Sequence, residues 1–548
     1  MTVLARWTPE GVELCPPQHE RATWVDEDTL LLGFPAAPDR TPWSRLDADR
    51  QAHLVESVVS GSDRLTGGWA LIARRGGTLI VRSDPAATRP LLWRRAGNRV
   101  TLADDIWSLL DNDHPLDPAG VADFLIVGYG VGSATIFEEV RVLGVDTVAR
   151  FDADGDHLTT FDPPASDPEP RSLDEAAQAL GTRFDALLAP YDDLERVLVP
   201  LSGGLDSRVL AALAVDRGLD VHAWTFALRR GSADERIARR VARTLGVPHT
   251  VSIVDPAAMP DRATAWVDRA SAQMSLEHIH AFGAHTDVPE GFDVSLSGPL
   301  GETVVGDMQF LPAGTQPDDV LTARLRRLVQ GRDPDLLDRR LPGVPGWSSR
   351  MLGLLQAFYE TVGCDPRRSD YVVLRNRPAR FTPWAVHAAR DRLRWVLPYT
   401  DQALWGTTYA MPEQWRRGSV AYRHLVAERW PALGRITWER TGLPPGRRVG
   451  SAEALARHVA RRIARRHSSF VDPRRLADKF APQISRAQSR TAPVLSELGV
   501  DVAGLLDDHA PDTTHGRALR LRLATIDLAR ERALEPRKPS ETRIEVAG

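Results

Sequence analysis

Lysine is almost missing from this chain of 548 residues: Lys479 and Lys538 are the only two, and arginine carries nearly all the basic charge. That removes lysine from most mechanistic roles, and arginine is a poor substitute as acid or base because it holds its proton. Cysteine is equally scarce. Cys15 and Cys364 alone exclude a disulfide framework and any cysteine-rich metal centre. No run of about 18 apolar residues exists that could span a bilayer, and the opening MTVLARWTPEGVEL lacks the basic region and apolar core of a secretion signal. A cytoplasmic protein without a membrane partner is expected. Strong charge of one sign is absent as well, since a formal net charge of −4 is small for this length; nucleic acid is therefore not an expected partner. What is present, 43% hydrophobic and 26% charged residues, is an ordinary globular composition. At this length it predicts two or three domains.

A first boundary falls at DPPASDPEPRS, residues 162–172, where proline and acidic residues replace any hydrophobic period. Before it, short apolar runs such as WALIAR, TLIVRS and RVTLAD alternate with Gly, Asp and Asn turns, the pattern of a largely antiparallel domain. After it, Ser172 and Glu175 form a capping box ahead of Ala176, Leu180, Phe184, Leu187 and Leu188, apolar at helical spacing. Then come strand RVLVPL, turn SGGLDS, helix RVLAALAVDRG, strand DVHAWTF, helix DERIARRVARTLG and strand HTVSIV. Helices alternating with buried strands predict a parallel sheet with crossovers. From about residue 450 the pattern is helical and arginine-rich, without repeats.

The turn SGGLDS is the most informative stretch. A strand–turn–helix unit in a parallel sheet presents free backbone N–H groups at the helix start, a place for an anion. Gly203 and Gly204 let the backbone approach a phosphate, Ser202 and Ser207 add hydroxyls, and Asp206 can hold a divalent cation. It is not a Walker loop, because the GxxxxGK[ST] spacing and its lysine are absent. The plainer reading is a tight turn with a capping aspartate.

SGGLDS resembles the pyrophosphate loop of the asparagine synthetase family of ATP pyrophosphatases. The segment from Thr225 to Thr250 is similar to the family's second strand and helix, with Gly231, Ser232, Asp234, Glu235, Ala238, Ala242, Gly246 and His249 in familiar places. DVSLSGPLGETVVGD resembles the signature SGxGxDExxGG, with Glu302 where the acidic magnesium ligand stands. The stretch LPYTDQALWG through ERTGLPPG resembles the family's PFLD segment and the basic residue before its active-site loop. The likeness covers most of residues 173–446. The N-terminal region from Gly67 to Leu110 is similar to the core of the family's glutaminase domain, and SATIFEEVRVLG to the segment leading out of it.

The resemblance implies an α/β protein: an N-terminal αββα domain of the N-terminal-nucleophile (Ntn) hydrolase type over residues 1–162, a PP-loop, adenine nucleotide α-hydrolase-like, doubly wound parallel-sheet domain over 172–448, and a helical arginine-rich C-terminal extension over 449–548. It implies ATP and Mg2+, with Leu201, Ser202, Gly203, Gly204, Leu205, Asp206 and Ser207 around the phosphates, adenine against Leu201, Phe226, Ser297 and Gly298, and the metal on Asp206 and Glu302. The glutaminase needs cysteine after the initiator methionine, whose own amine serves as base; position 2 is Thr and no NGE segment is present. Thr2 as a surrogate and Cys15 uncovered by processing are the remaining routes, and no glutamine hydrolysis is expected. Arg440 stands where the family places a lysine near the adenylate, and Arg394 where asparagine synthetases carry an acidic residue four positions before PFLD. These two are the expected catalytic positions.

The expected reaction is formation of an acyl-adenylate from a small-molecule or peptide carboxylate, then attack by an amine, as in β-lactam synthetases and lasso-peptide cyclases, which keep an inactive glutaminase half. Asparagine synthesis and a degenerate protein that only binds a nucleotide or partner, prompted by Arg394, Arg440 and Thr303, are the alternatives. Two further features stay open. His278, His280 and His285 beside Glu277 read as a metal site if the segment is a strand, and otherwise as pocket lining or surface. Leu455, Val459 and Ile463 form a stripe opposite arginines, either a helix packed on the domain or a basic patch for a pathway partner or leader peptide.

Overall fold

The structure is a computed structural model that describes residues 3–15, 22–161, 167–280, 288–306, 311, 315–365, 369, 376, 380–390, 392–446, 473–510 and 513–535. Two antiparallel sheets come first. One holds β1 (Val3–Thr8), β2 (Gly11–Leu14), β7 (Leu92–Ala96), β8 (Arg99–Ala103) and β9 (Val140–Val142) in the order β2-β1-β8-β7-β9. The other holds β3 (Ala22–Asp26), β4 (Thr29–Ala36), β5 (Thr66–Arg75), β6 (Thr78–Ser83), β10 (Thr147–Asp152) and β11 (Gly155–Thr160) in the order β11-β10-β6-β5-β4-β3.

The period of two along these strands decides the layering. Leu30, Leu32, Ala70, Ile72, Leu79 and Val81 face Leu4, Trp7, Val100 and Leu102 of the other sheet. Leu31, Trp69, Leu71 and Ile80 face the opposite way, onto Leu54, Val55 and Val58 of the helix Ala48–Ser60. The free face of the five-stranded sheet, through Leu92, Ala103, Val140 and Val142, joins the main core with the helix Pro118–Val127. The layers run helix, sheet, sheet, helix.

The third sheet is parallel throughout: β12 (Arg196–Pro200), β13 (Asp220–Ala227), β14 (His249–Ile253), β15 (Val294–Leu296) and β16 (Arg394–Val396), in the order β14-β13-β12-β15-β16. The helices Leu205–Asp216 and Ala233–Leu245 are its first crossovers. Both end in left-handed glycines just past their last turn, Gly218 and Gly246, with φ of 77° and 72°. The capping box forms on the helix Leu173–Leu187, where Ser172 Oγ accepts from Glu175 N at 3.1 Å; the Glu175 carboxylate reaches back to Arg171 N at 2.7 Å instead of the cap residue's own N–H. From β12 the chain winds outward to β14, then returns to the far side for β15 and β16. β12 and β15 are thus neighbours whose onward connections leave in opposite directions, and the crevice beyond their carboxyl ends is where open α/β sheets take ligands.

Helices fill the described residues from Pro473 to Leu534. The last of them, Thr514–Leu534, lies inside the main core through Leu519, Leu521, Leu523 and Ile526. Its Arg522 pairs with Glu277 at 2.6 Å and donates to the carbonyls of Leu125 (3.0 Å) and Ile126 (2.8 Å), at the end of the helix Pro118–Val127. The stripe of Leu455, Val459 and Ile463 lies outside the described residues. Among the described residues no helix is long and apolar enough to cross a membrane.

Candidate functional site

SGGLDS sits at the crevice the topology selects. β12 ends at Pro200; Leu201 N then donates to Trp224 O at 2.7 Å and Leu201 O accepts from Thr225 Oγ1 at 2.6 Å, which locks the loop to β13. Within the loop Ser202 N donates to Ser207 Oγ (3.0 Å), Gly204 N to Ser202 Oγ (3.1 Å) and Gly203 N to Asp234 Oδ1 (2.9 Å). Ser202 is exposed while Gly203, Leu205 and Ser207 are buried, so the loop opens outward. The helix Leu205–Asp216 begins with no side-chain cap, whereas Ser172 and Ser232 cap the helices before and after it. Its first N–H groups are left for an anion.

Asp206, in the first turn of that helix, meets Glu302 across the crevice. Glu302 N donates to Asp206 Oδ2 at 2.7 Å. Asp206 Oδ1 is shut off from solvent and has no hydrogen-bond partner. Burial, and after it the charge of Glu302, push the Asp206 carboxyl well above the usual carboxylate range. The approach is close enough to require glycine: a Cβ on Gly301 would stand 2.2 Å from Asp206 Cγ. A covered carboxylate oxygen without a hydrogen bond, beside a second carboxylate, fits a hard divalent cation held by Asp206 and Glu302.

Arg440 joins this pair. Its Nη1 lies 3.3 Å from Glu302 Oε1 and its guanidinium stands over the Trp438 ring, 5.5 Å from the centroid. Arg394 does not join it. That residue opens β16 opposite Val294, its guanidinium faces the Asp293 carboxylate at 3.9 Å, and it lines a cleft with Thr88, Arg89, His387 and Arg390. Of the two expected positions, one arginine thus reaches the crevice and the other faces Asp293 and the cleft toward the N-terminal half.

The remaining expected residues divide the same way. Ser297 is buried, with its N bonded to Val396 O at 2.9 Å, and a Cβ on Gly298 would come within 3.3 Å of Ser207 N, so this turn abuts the loop helix. Phe226 is half-buried near the end of β13, its ring 5.6 Å from that of Trp224. Leu276–His278 is a short 3-10 turn, so strand alternation does not hold for the histidines. His278 rests edge-on against Phe381, the Glu277 carboxylate is committed to Arg522, and burial pushes the His280 imidazole down to about 4. Among the described residues the three-residue group able to gather metal ligands is Asp174, His424 and Glu428 elsewhere on the surface, not these histidines. His285 and Thr2 lie outside the described residues. Cys15 is half-buried, and burial raises its thiol, the opposite of what an activated nucleophile needs.

Several site residues were not singled out for a role from the sequence. Glu439 N donates to Gly203 O at 3.1 Å; burial, then Asp234 and Glu302, push the Glu439 carboxyl up to about 7. The Tyr399 hydroxyl donates to Asp206 O at 3.0 Å and lies 2.9 Å from the Tyr422 hydroxyl. Arg208 is fully buried beneath the loop. Burial of a guanidinium costs several kcal/mol, which hydrogen bonds to backbone carbonyls offset at about 1.5–3 kcal/mol each. Asp234 carried a signal, the motif around Ser232; Arg208 carried none.

Residues 192–435 match the family model for asparagine synthase. The 7-cyano-7-deazaguanine synthase of Desulfatibacillum aliphaticivorans is 44% identical over 63 residues, 11% of this chain and 27% of that protein. The tRNA-specific 2-thiouridylase MnmA of Bartonella quintana (strain Toulouse) is 42% identical over 71 residues, 11% of this chain and 17% of its own. The chain therefore spans about a quarter or less of the length of these curated relatives. A solved structure of the allosteric regulatory enzyme of purine biosynthesis shares 13% identity over 38% of this chain and 50% of that chain, with a TM-score of 0.14, too low to bear on the fold. The loop, the crevice strands and Glu302 all lie within the span that matches the asparagine synthase family model.

Proposed function

We propose that this protein is an ATP-dependent, AMP- and pyrophosphate-forming amide-bond ligase that adenylates a carboxylate and condenses it with an amine, without using glutamine. The observation that carries the reading is Asp206 Oδ1, covered and unpartnered, opposite Glu302 at the uncapped start of the loop helix. ATP is the co-substrate. The open face of the loop and the first N–H groups of the helix Leu205–Asp216 bind its phosphates, and the Ser297–Gly298 turn with Phe226 and Leu201 flanks the base. Mg2+ bound by Asp206 and Glu302 would neutralise charge on the departing pyrophosphate. Arg440, fixed by Glu302, is a permanent cation at the same place and stabilises anionic oxygen without moving a proton.

The amine is not supplied by glutamine in this reading. Thr2 stands where the nucleophilic cysteine would be, and Cys15 has a raised thiol. The acyl donor and amine are small molecules or peptide groups, in a natural-product pathway of the lasso-cyclase or β-lactam-synthetase kind. Magnesium-dependent exchange of labelled pyrophosphate into ATP, across a panel of amino acids, N-acylated amino acids and peptides, tests the proposal. Exchange with at least one carboxylate supports it. Nucleotide binding with no exchange on any of them would show a protein that binds ATP without catalysis.

A further inference from the structure

We infer that Arg208 is a positioning residue that sets the place of Arg440, an assignment that rests on the ligase reading. Arg208 is fully buried in the first turns of a helix that is apolar on nearly every side, through Leu205, Val209, Leu210, Ala211 and Ala212. A charged side chain there has no route to solvent, so its donors must be spent on protein acceptors. Those of the two terminal nitrogens are, with Nε alone left without an acceptor: Nη1 donates to the carbonyls of Leu433 (3.1 Å) and Ile436 (2.9 Å), and Nη2 to that of Thr437 (2.8 Å).

Those carbonyls belong to the turn that runs directly into Trp438, Glu439 and Arg440. A second tie lies alongside: Gly203 O accepts from Glu439 N at 3.1 Å and is reached by Arg208 Nη2 at 3.5 Å. The backbone that delivers Arg440 to Glu302 is thus fastened to the loop helix at three carbonyls and to the loop itself through the Glu439 N–H. Carbonyls aimed at one guanidinium fix their peptide planes, and with them the direction in which the chain leaves toward Arg440. A lysine cannot reproduce this, because its ammonium is a point charge on a flexible stem, while the guanidinium is a rigid fork of five donors.

The test compares Arg208→Lys and Arg208→Met with Arg440→Ala and the double variant Arg208→Lys/Arg440→Ala, in the full chain. Deuterium uptake of residues 433–440 without ligand reports the clasp, whatever the reaction. Pyrophosphate–ATP exchange, resolved into kcat and the KM for ATP, reports its consequence. Uptake in 433–440 is expected to rise in both Arg208 variants while β12 and β13 stay protected. In Arg208→Lys kcat is expected to fall about a hundredfold, with the KM for ATP changed by less than about threefold. The double variant is expected to be no worse than Arg440→Ala, because the two residues act as one unit. Unchanged protection of 433–440 in Arg208→Lys, or losses that multiply in the double variant, overturn the assignment. If Arg208→Met does not fold, Arg208→Lys, which keeps the charge, carries the test. Wild-type protein that shows the clasp by uptake but exchanges no pyrophosphate overturns the ligase reading and not the clasp.

Discussion

Two aspartates, one in each half of the molecule, show what separates a structural carboxylate from a functional one. Asp84, at the end of β6 in the antiparallel half, is fully buried and takes four hydrogen bonds: from Trp69 N, Ala86 N, Thr88 N and Thr88 Oγ1, at 2.5–3.1 Å. Burial pushes it up to about 6, and those donors pull it back. Asp206 has one oxygen on Glu302 N and the other covered and without a hydrogen bond, the Tyr422 hydroxyl being the side-chain donor beside it. In the first case the fold supplies every partner. In the second it withholds one and adds a like charge, which a finished structure would avoid unless the missing partner arrives from outside.

That contrast can be broken in order of expected effect. Asp206→Asn should lower pyrophosphate exchange about a thousandfold while leaving the melting temperature unchanged or higher, since a strained carboxyl is removed; full exchange in this variant would end the metal assignment. Gly301→Ala, whose Cβ would stand 2.2 Å from Asp206 Cγ, should cost about a hundredfold in kcat by moving the two carboxylates apart. Wild-type kinetics there would mean the approach is unimportant. Asp84→Ala should do the reverse. It strands four donors and should cost about 3 kcal/mol of stability in urea titration, with exchange per folded molecule unchanged; lost kcat without lost stability would erase the comparison.

The smallest effect is in pH. Glu439, ordinarily near 4.5, sits at about 7 in the folded protein. A raised carboxyl stabilises the fold fully below its unfolded pKa, and that contribution is lost as pH rises through its folded pKa. The melting temperature of the wild type should therefore fall more between pH 5 and 8 than that of Glu439→Gln, by about 1 °C after allowing for solvent screening. Asp84 and Asp123, both near 6, have the same sign in both proteins and cancel. Parallel curves for the two proteins would show that Glu439 titrates normally.

What the sequence made legible was local. The strand, the glycine turn and the helix of SGGLDS are contiguous, and the helices after it are bounded by Ser232 and by Gly218 and Gly246, whose conformations are dictated by neighbours a few residues away. The order β14-β13-β12-β15-β16 is where parallel crossovers lead, and it places the loop at the reversal point. For Arg394 the missing information was direction: counting back from Pro398 finds a position along the chain, and the pairing of β16 with β15 adds that its guanidinium faces Asp293. For the histidines the metal reading was conditional on a strand, and Leu276–His278 is a 3-10 turn, which leaves the pocket-lining or surface reading. Arg208 was invisible since its acceptors lie 225–229 residues onward, and an arginine after a loop reads as a solvated one.

The helix Thr514–Leu534 has a consequence in time. Arg522 touches Leu125 and Ile126 across 396–397 residues of chain, and the apolar face beside it belongs to the same core as β12. At about 5–20 residues per second, synthesis needs roughly half a minute between the two ends of that contact. Through that interval the end of the helix Pro118–Val127 lacks the cover of this last helix, so the nascent chain should be a client of holding chaperones until it docks.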